Sequence, residues 1–301
     1  MKCVVTGGAG FIGSNLVDQL IDDGNEVHVI DNFSTGKESN CNAKAVYHKK
    51  DLADISVFSD LVKILNNTDI VFHLACKARV QPSIHNPLDY EVNNTIGLVN
   101  ILKSSVDAKV KKIIYSSSSS VYGDSIRMPL KENFKTNPVS PYGAQKLYGE
   151  ILCKTFSSAY GIETLSLRYF NVYGERQLID DGPYSTVVGI FLKQRKENLA
   201  LTIRGSGDQR RDFTYVGDVV RANIFAAKAK TNPGAINIGR GKNSSINQIA
   251  SYFGGPIKYV NSVKEPFETL ADIQKAKKVL NWEPLQNIKS WIQEVTSSLN
   301  E

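Results

Sequence analysis

No stretch of the 301-residue sequence approaches the roughly 18 uninterrupted apolar residues of a membrane-spanning helix, so the chain is not expected to enter a bilayer. Cysteine is scarce. Cys3, Cys41, Cys76 and Cys153 lie far apart and form no CxxC pair, which argues against a zinc site or a disulfide frame and fits reduced thiols in a cytosol. The start of the sequence lacks the apolar core and cleavage site of a signal peptide, Met1 and Lys2 running straight into an apolar strand, so export is not expected and a cytoplasmic location is. Concentrated charge is missing too. The net charge of +6 is dispersed, and its one short cluster, Lys109, Lys111 and Lys112, precedes an apolar strand as a solvated turn would. Nucleic acid is not an expected partner, whereas small anions held by a few local arginines are.

What the sequence does contain is a rhythm. In its first half, short apolar runs alternate with amphipathic stretches, the pattern of parallel strands joined by crossover helices. Strands are predicted at Cys3 to Thr6, Val27 to Ile30, Val46 to His48, Ile70 to Leu74, Ile113 to Ser116 and Thr164 to Arg168. Helices are predicted near Ser14 to Asp22, Ser56 to Leu65, Tyr90 to Ser105 and Tyr142 to Ala159. The expected fold class is α/β, a doubly wound parallel (Rossmann) sheet with a smaller C-terminal α/β lobe. After Asn171 come loops rich in Gly, Asp and Pro, around Asp180 to Pro183 and Gly205 to Asp208, and shorter mixed elements. The expected division is a dinucleotide-binding domain over residues 1–171, with 213–243 returning to it through a helix at Val216 to Ala229 and a strand at Ala235 to Ile238. Residues 172–212 and 244–301 are then the second lobe.

The turn Thr6-Gly7-Gly8-Ala9-Gly10-Phe11-Ile12-Gly13 follows the first strand and opens a helix. Glycines at 7, 10 and 13 let the backbone turn tightly, approach a pyrophosphate and pack the helix on the sheet, while the helix N-terminus offers N–H groups to the anion. The second strand ends at Asp31, 21 residues after Gly10, where a carboxylate accepts hydrogen bonds from an adenosine ribose. A 2′-phosphate would meet like charge there, which favours NAD over NADP, with Lys37 the nearby cation that NADP would use.

Tyr142-Gly-Ala-Gln-Lys146 sets a phenol and an ammonium four residues apart, on one face of a helix that begins near Pro141. Positive charge beside the phenol stabilises phenolate and is expected to lower the tyrosine pKa toward the working pH, as a general base requires. The strand Ile113 to Ser116 runs into the serines 116–120, any of which places a hydroxyl in the crevice at the strand ends; chemistry alone does not choose among the five.

These residues resemble those of the extended short-chain dehydrogenases/reductases, and within them the UDP-glucose and UDP-N-acetylglucosamine 4-epimerases. The resemblance spans nearly the whole chain: TGGAGFIGS at Thr6 to Ser14, DN at Asp31 and Asn32, HLA at His73 to Ala75, SSSSSVYG at Ser116 to Gly123, PYGAQK at Pro141 to Lys146 and LRYFNVYG at Leu167 to Gly174. RDFTYVGD at Arg211 to Asp218, NIG at Asn237 to Gly239 and LADIQKAKKVLNWEP at Leu270 to Pro284 follow. The resemblance implies Ser118, Tyr142 and Lys146 as the catalytic residues. It implies an NAD site built from Gly7, Gly10, Phe11, Ile12, Gly13, Asp31, Asn32, Ser34, Thr35, Gly36, Asp51, Leu52, Leu74, Ala75, Cys76, Asn93, Ser116, Tyr142, Lys146 and Tyr169, with Asp51 and Leu52 at the adenine. Ser118, Tyr142, Asn171 and Arg211 would hold a UDP-sugar, Arg211 on its diphosphate. His73 reads as strand-end packing, and no metal site is expected. A homodimer through the helices near Tyr90 and after Tyr142 is implied as well.

The activity so implied is C4 epimerisation of a UDP-hexose or UDP-N-acetylhexosamine through a transient 4-keto sugar. Two relatives offer alternatives, the 4,6-dehydratases and the UDP-glucuronate decarboxylases, but these carry carboxylates just after the catalytic hydroxyl residue where this sequence has Ser119 and Ser120. A non-catalytic NAD(P)-sensing protein would typically lack the Tyr and Lys pair. Two positions depart from the epimerase pattern. Ser262 stands where a second phosphate-binding arginine is expected, with Lys264 the nearest cation, and Thr269 replaces a bulky aromatic, leaving room for an acetamido group.

Overall fold

A computed structural model describes residues 1–180, 182, 184–230, 234–263 and 265–297. The first half runs β1 (Lys2–Thr6), α1 (Phe11–Asp22), β2 (Glu26–Asp31), β3 (Val46–Lys49), α2 (Phe58–Leu65), β4 (Ile70–His73), α3 (Val80–His85), α4 (Pro87–Glu91), α5 (Gly97–Asp107), β5 (Lys112–Ser118), α6 (Pro141–Tyr160) and β6 (Glu163–Tyr169). The second half continues through β7 (Val172–Tyr173), α7 (Val187–Lys196), β8 (Leu201–Arg204), β9 (Arg210–Asp212), β10 (Thr214–Tyr215), α8 (Val216–Lys228), β11 (Ala235–Ile238), β12 (Asn243–Ser245), α9 (Ile246–Phe253), β13 (Ile257–Val260), α10 (Gln274–Leu280) and α11 (Ile288–Ser297).

β11, β6, β5, β4, β1, β2 and β3 lie in that order in one parallel sheet. Its direction of winding reverses between β1 and β4, the place where open α/β sheets form a crevice at their carboxyl edge. Side chains alternate across the sheet. Cys3, Val5, Val27 and Val29 pack on one face with Leu16, Val17 and Leu20 of α1 and Val219 and Val220 of α8. Val4, Ile30, Val71 and Ile113 pack on the other with Leu61, Leu65, Leu98 and Ile101. Each such aliphatic side chain removed from water contributes about 1.5–3 kcal/mol, which is why the strands read as continuous apolar runs.

Most predicted elements appear within a residue or two of their expected ends, and the differences have local causes. β5 runs on to Ser118 because its backbone keeps pairing with β6 as far as Ser118 opposite Tyr169. The expected helix Tyr90 to Ser105 is interrupted by a π-helical turn, Val92–Ile96, which turns Asn94 inward to bond Lys77 and Gln145. The stretch expected to be helical from Ser56 opens with a 3-10 turn, Ile55–Val57, capped by Asp54. No sequence pattern predicts α3.

α6 is started by Ser140, whose hydroxyl accepts from the Gly143 amide at 3.1 Å, with Pro141 in the first helical position. It lies directly on β5: a Cβ at Gly149 would meet the Tyr115 hydroxyl at 2.2 Å, so only glycine allows this approach. Farther along α6, Glu150 receives a bidentate pair from Arg168 of β6, Nε to Oε1 at 2.8 Å and Nη2 to Oε2 at 2.7 Å; Arg168 is buried and the Glu150 side chain only 10% exposed.

The second-half segments pack a separate core of Tyr173, Phe191, Leu201, Phe213, Phe253 and Trp291. Two buried aspartates tie the C-terminal segments down. Asp212 accepts from the amides of Arg240, Gly241 and Ala271 at 2.6–3.0 Å, although burial still pushes its carboxyl up to about 7. Asp218 accepts from the amides of Leu285 and Gln286 at 3.0 Å.

Removing Glu150 leaves Arg168 as a buried charge without its counter-ion, which typically costs about 3–5 kcal/mol. Glu150→Ala is expected to lower the urea midpoint accordingly, and a midpoint within error of the parent protein would refute the importance of this pair.

Candidate active site

A cleft of about 1500 Å³ opens at the carboxyl ends of β1, β4, β5 and β6, larger than the usual small-ligand pocket. Every site residue named from the sequence lines it except Gly36. Gly36 packs against the glycine turn, where a Cβ would meet the Ala9 side chain at 2.8 Å and Asp31 Oδ1 at 3.1 Å, so its lack of a side chain lets that loop lie close.

At one end, α1 begins after Gly10 with its first amides free of intrahelical acceptors. Gly13 lies so close under the turn that a Cβ would sit 2.1 Å from the Gly7 carbonyl oxygen. The cradle thus offers bare backbone and a helix N-terminus, the surface a pyrophosphate needs. Asp31 closes β2 with Oδ2 accepting from the Ala9 amide at 2.9 Å and Oδ1 from the Phe33 amide at 2.8 Å. These bonds fix the carboxylate and leave it lone pairs for a ribose. Asn32 donates to Asp51 at 3.2 Å, joining the ends of β2 and β3 where an adenine would rest. Leu74, Ala75 and Cys76 continue from β4 along the floor. Asn93 lines the cleft, but its amide is turned to Asp89; the inward bonds belong to Asn94.

At the end of β5, Lys146 Nζ donates to the Ser116 carbonyl at 2.7 Å and lies 5.8 Å from the Tyr142 ring centroid. Ser118 lies beside the Tyr142 phenol and favours its ionised form, which brings the three residues together, while its hydroxyl donates to Ser120 Oγ at 3.1 Å. Tyr169, opposite Ser118 in the sheet, receives a hydrogen bond from Ser116 at 3.2 Å and donates to Asn223 at 2.9 Å. Burial disfavours charge on Lys146, but Cys76, Tyr115 and Tyr142 around it hold its pKa above the usual value, so it is charged. The expected lowering of the Tyr142 pKa needs correction. Lys146, Ser118 and Arg79 do pull it down, yet burial is the larger effect and the net direction is upward.

The far end holds Asn171 and Arg211. Asn171 donates to the Asp212 carbonyl at 3.2 Å and to Thr269 Oγ1 at 3.3 Å. Arg211 is paired with Glu265 at 2.9 Å, so an anion there must compete with a carboxylate. Ser262 does not face the cleft but flanks Gly205; Lys264, and the Asp181 and Pro183 of the expected loop, lie outside the described residues. Among the cleft residues that the sequence reading did not name are Arg79, Tyr184 and Glu265. The only hint for Arg79 was its place just past the end of β4, on the ligand-bearing edge of the sheet.

The family model for the NAD dependent epimerase/dehydratase family matches residues 3–239. A "Putative UDP-glucose 4-epimerase" of Methanocaldococcus jannaschii is 38% identical over 98% of this chain and 97% of its own length. "UDP-glucuronic acid decarboxylase 1" of Xenopus tropicalis is 33% identical over 94% of this chain and 68% of its own. Among solved structures, the UDP-N-acetylglucosamine 4-epimerase from Methanobrevibacter ruminantium, in complex with UDP-N-acetylmuramic acid, superposes with a TM-score of 0.91 at 38% identity, covering 98% of this chain and 97% of that one. The chain belongs to the NAD-dependent epimerase/dehydratase family, and NAD is its cofactor. No described helix is long and apolar enough to cross a membrane.

His73 ends β4 beneath this site, its Nδ1 2.9 Å from the Thr6 hydroxyl and its ring stacked on Tyr115. Burial, helped by the Lys146 charge, pushes its pKa down to about 3 from 6.5. The unfolded chain therefore takes up a proton below about pH 6.5 that the folded protein refuses, so stability is lost as pH falls, by up to about 1.4 kcal/mol per unit from this residue. Urea denaturation at pH 7, 6 and 5 should show a shallower loss in His73→Gln than in the parent; parallel slopes would mean His73 titrates normally.

Proposed function

We propose that this protein is a UDP-sugar 4-epimerase acting on a UDP-hexose or UDP-N-acetylhexosamine. The observation that carries the reading is the grouping of Ser118, Tyr142 and Lys146 at the end of β5, followed by Ser119 and Ser120 where elimination or decarboxylation would call for carboxylates.

The glycine turn, the start of α1, Asp31, Asp51 and Leu52 would hold the cofactor along one arm of the cleft, with Tyr169 toward its reactive end. NAD held there would supply a reversible hydride acceptor for C4 of the sugar, with no net change in its oxidation state over the cycle. Tyr142 takes the proton from the 4-hydroxyl as general base. Lys146 opposes the burial that would otherwise keep the phenol protonated, and Ser118 orients the hydroxyl. The 4-keto sugar then presents its other face, and Tyr142 returns the proton as the second C4 epimer forms. Asn171 and Arg211 hold the nucleotide half, Arg211 exchanging Glu265 for phosphate oxygens. Thr269, small and hydrogen-bonded to Asn171, leaves space for an acetamido group.

In this reading residues 172–212 and 244–301 form the substrate lobe, and the protein works in the cytoplasm as a homodimer. The dimer uses the faces of α5 and α6 and the π turn between α4 and α5, where Val92, Ile96, Val99, Tyr148 and Ile151 are exposed. The decarboxylase relative keeps a second reading in view, but its chemistry would have to do without a carboxylate at 119 or 120.

Purified protein with catalytic NAD and a panel of UDP-hexoses and UDP-N-acetylhexosamines, followed by proton NMR, is expected to interconvert a C4 pair with no net NADH. A 4-keto-6-deoxy sugar or a pentose as product would overturn the reading. Tyr142→Phe is expected to lower kcat by about 10²–10⁴; retention of most activity would remove Tyr142 from its role.

A further inference from the structure

Arg79 stands at the entrance to α3 with φ 91° and ψ 141°, a conformation that side-chain-bearing residues rarely adopt. Such a backbone is costly, and it persists where surrounding contacts impose it, commonly at ligand sites. Here the contacts are specific. Arg79 Nε donates to the Tyr184 carbonyl at 2.9 Å, and Ser83, one turn into α3, accepts from the Tyr142 amide at 3.2 Å. The arginine is thus fixed to the same framework as Tyr142, with its side chain in the wall of the cleft.

Its charge is not answered by the protein. No carboxylate pairs with it among the described residues, and its one hydrogen bond there uses Nε, leaving the terminal nitrogens unpartnered. The groups that most influence its charge are Tyr142, Cys76 and Tyr90, two phenols and a thiol. A guanidinium partly withdrawn from water and surrounded by neutral groups is poised for an anion, and its fork matches a carboxylate.

On the epimerase reading, both phosphate positions are already provided for, the cofactor pyrophosphate by the start of α1 and the sugar-nucleotide diphosphate by Arg211. Arg79 instead neighbours Tyr142, where the reacting hexose lies. We propose that Arg79 is a specificity-determining residue that binds a carboxylate on the hexose, making a sugar nucleotide with an acidic hexose the preferred substrate; this deepens the epimerase reading and rests on it.

The test is equilibrium binding, by calorimetry, to the NAD-loaded Tyr142→Phe protein, which stops turnover. UDP-glucuronate is the acidic probe and UDP-glucose its neutral counterpart, differing by a carboxylate in place of the C6 hydroxymethyl group. With Arg79 present, UDP-glucuronate is expected to bind about tenfold or more tightly than UDP-glucose. Arg79→Gln should bring that ratio close to one, and Arg79→Lys should keep part of it. Arg79→Gly, which suits the positive-φ backbone, should lose the preference without a fall in Tm, separating recognition from folding. A ratio near one with Arg79 in place, no binding of UDP-glucuronate, or a preference that survives Arg79→Gln would overturn the proposal. Failure of the epimerase reading shows itself elsewhere, as unchanged C4 configuration in every sugar nucleotide offered to the parent protein.

Discussion

The rest of the site hangs on one hydrogen bond, from the buried ammonium of Lys146 to the carbonyl of Ser116 at 2.7 Å. A charged amine taken out of water must find acceptors or lose its charge, and this one finds a strand carbonyl and the face of Tyr115, 5.1 Å from the ring centroid. The bond locks α6 onto β5 in one register. Sliding the helix by a single residue would rotate it by about 100°, removing Lys146 from its acceptor and Tyr142 from the cleft. Gly149 makes the close approach possible, and Ser140 and Pro141 set where the helix starts, so the positions of Tyr142 and Lys146 follow from features that make no contact with the reacting atoms.

The same burial sets up an opposition within the site. In the proposed epimerisation a dry pocket would protect a transient ketone from side reactions, but it also raises the pKa of the phenol proposed as base. Lys146 and Arg79 work against that rise, and any further positive charge brought alongside when the cleft fills would work in the same direction. The protein accordingly surrounds Tyr142 with cations and hydroxyls rather than carboxylates, a choice that suits proton removal and disfavours the additional acid–base steps of elimination.

The sheet was legible because parallel strands buried on both faces announce themselves as apolar runs, and the glycine turn and Tyr142-to-Lys146 spacing were legible because each is dictated by a short-range constraint. Residues that act through the fold were harder to see. Nothing local in the sequence says that the turn at Val92–Ile96 is π-helical, so the inward bonds fell to Asn94 while Asn93 turned to Asp89. The close packing of Gly36 on Ala9 and Asp31 is likewise a property of the folded loop that no motif spells out. The pairing of Arg211 with Glu265 joins residues 54 positions apart, beyond the reach of any motif. The upward shift of Tyr142 is a property of the filled volume around it, which spacing alone does not report.

Asp212 and Asp218 hold the C-terminal segments through main-chain N–H groups rather than through side chains. Every residue except proline presents the same N–H, so these attachments are nearly indifferent to what stands at positions 240, 271, 285 and 286. The anchors can stay fixed while the neighbouring side chains drift, and this wall of the cleft is free to be rewritten over evolutionary time without being unfastened from the rest of the fold.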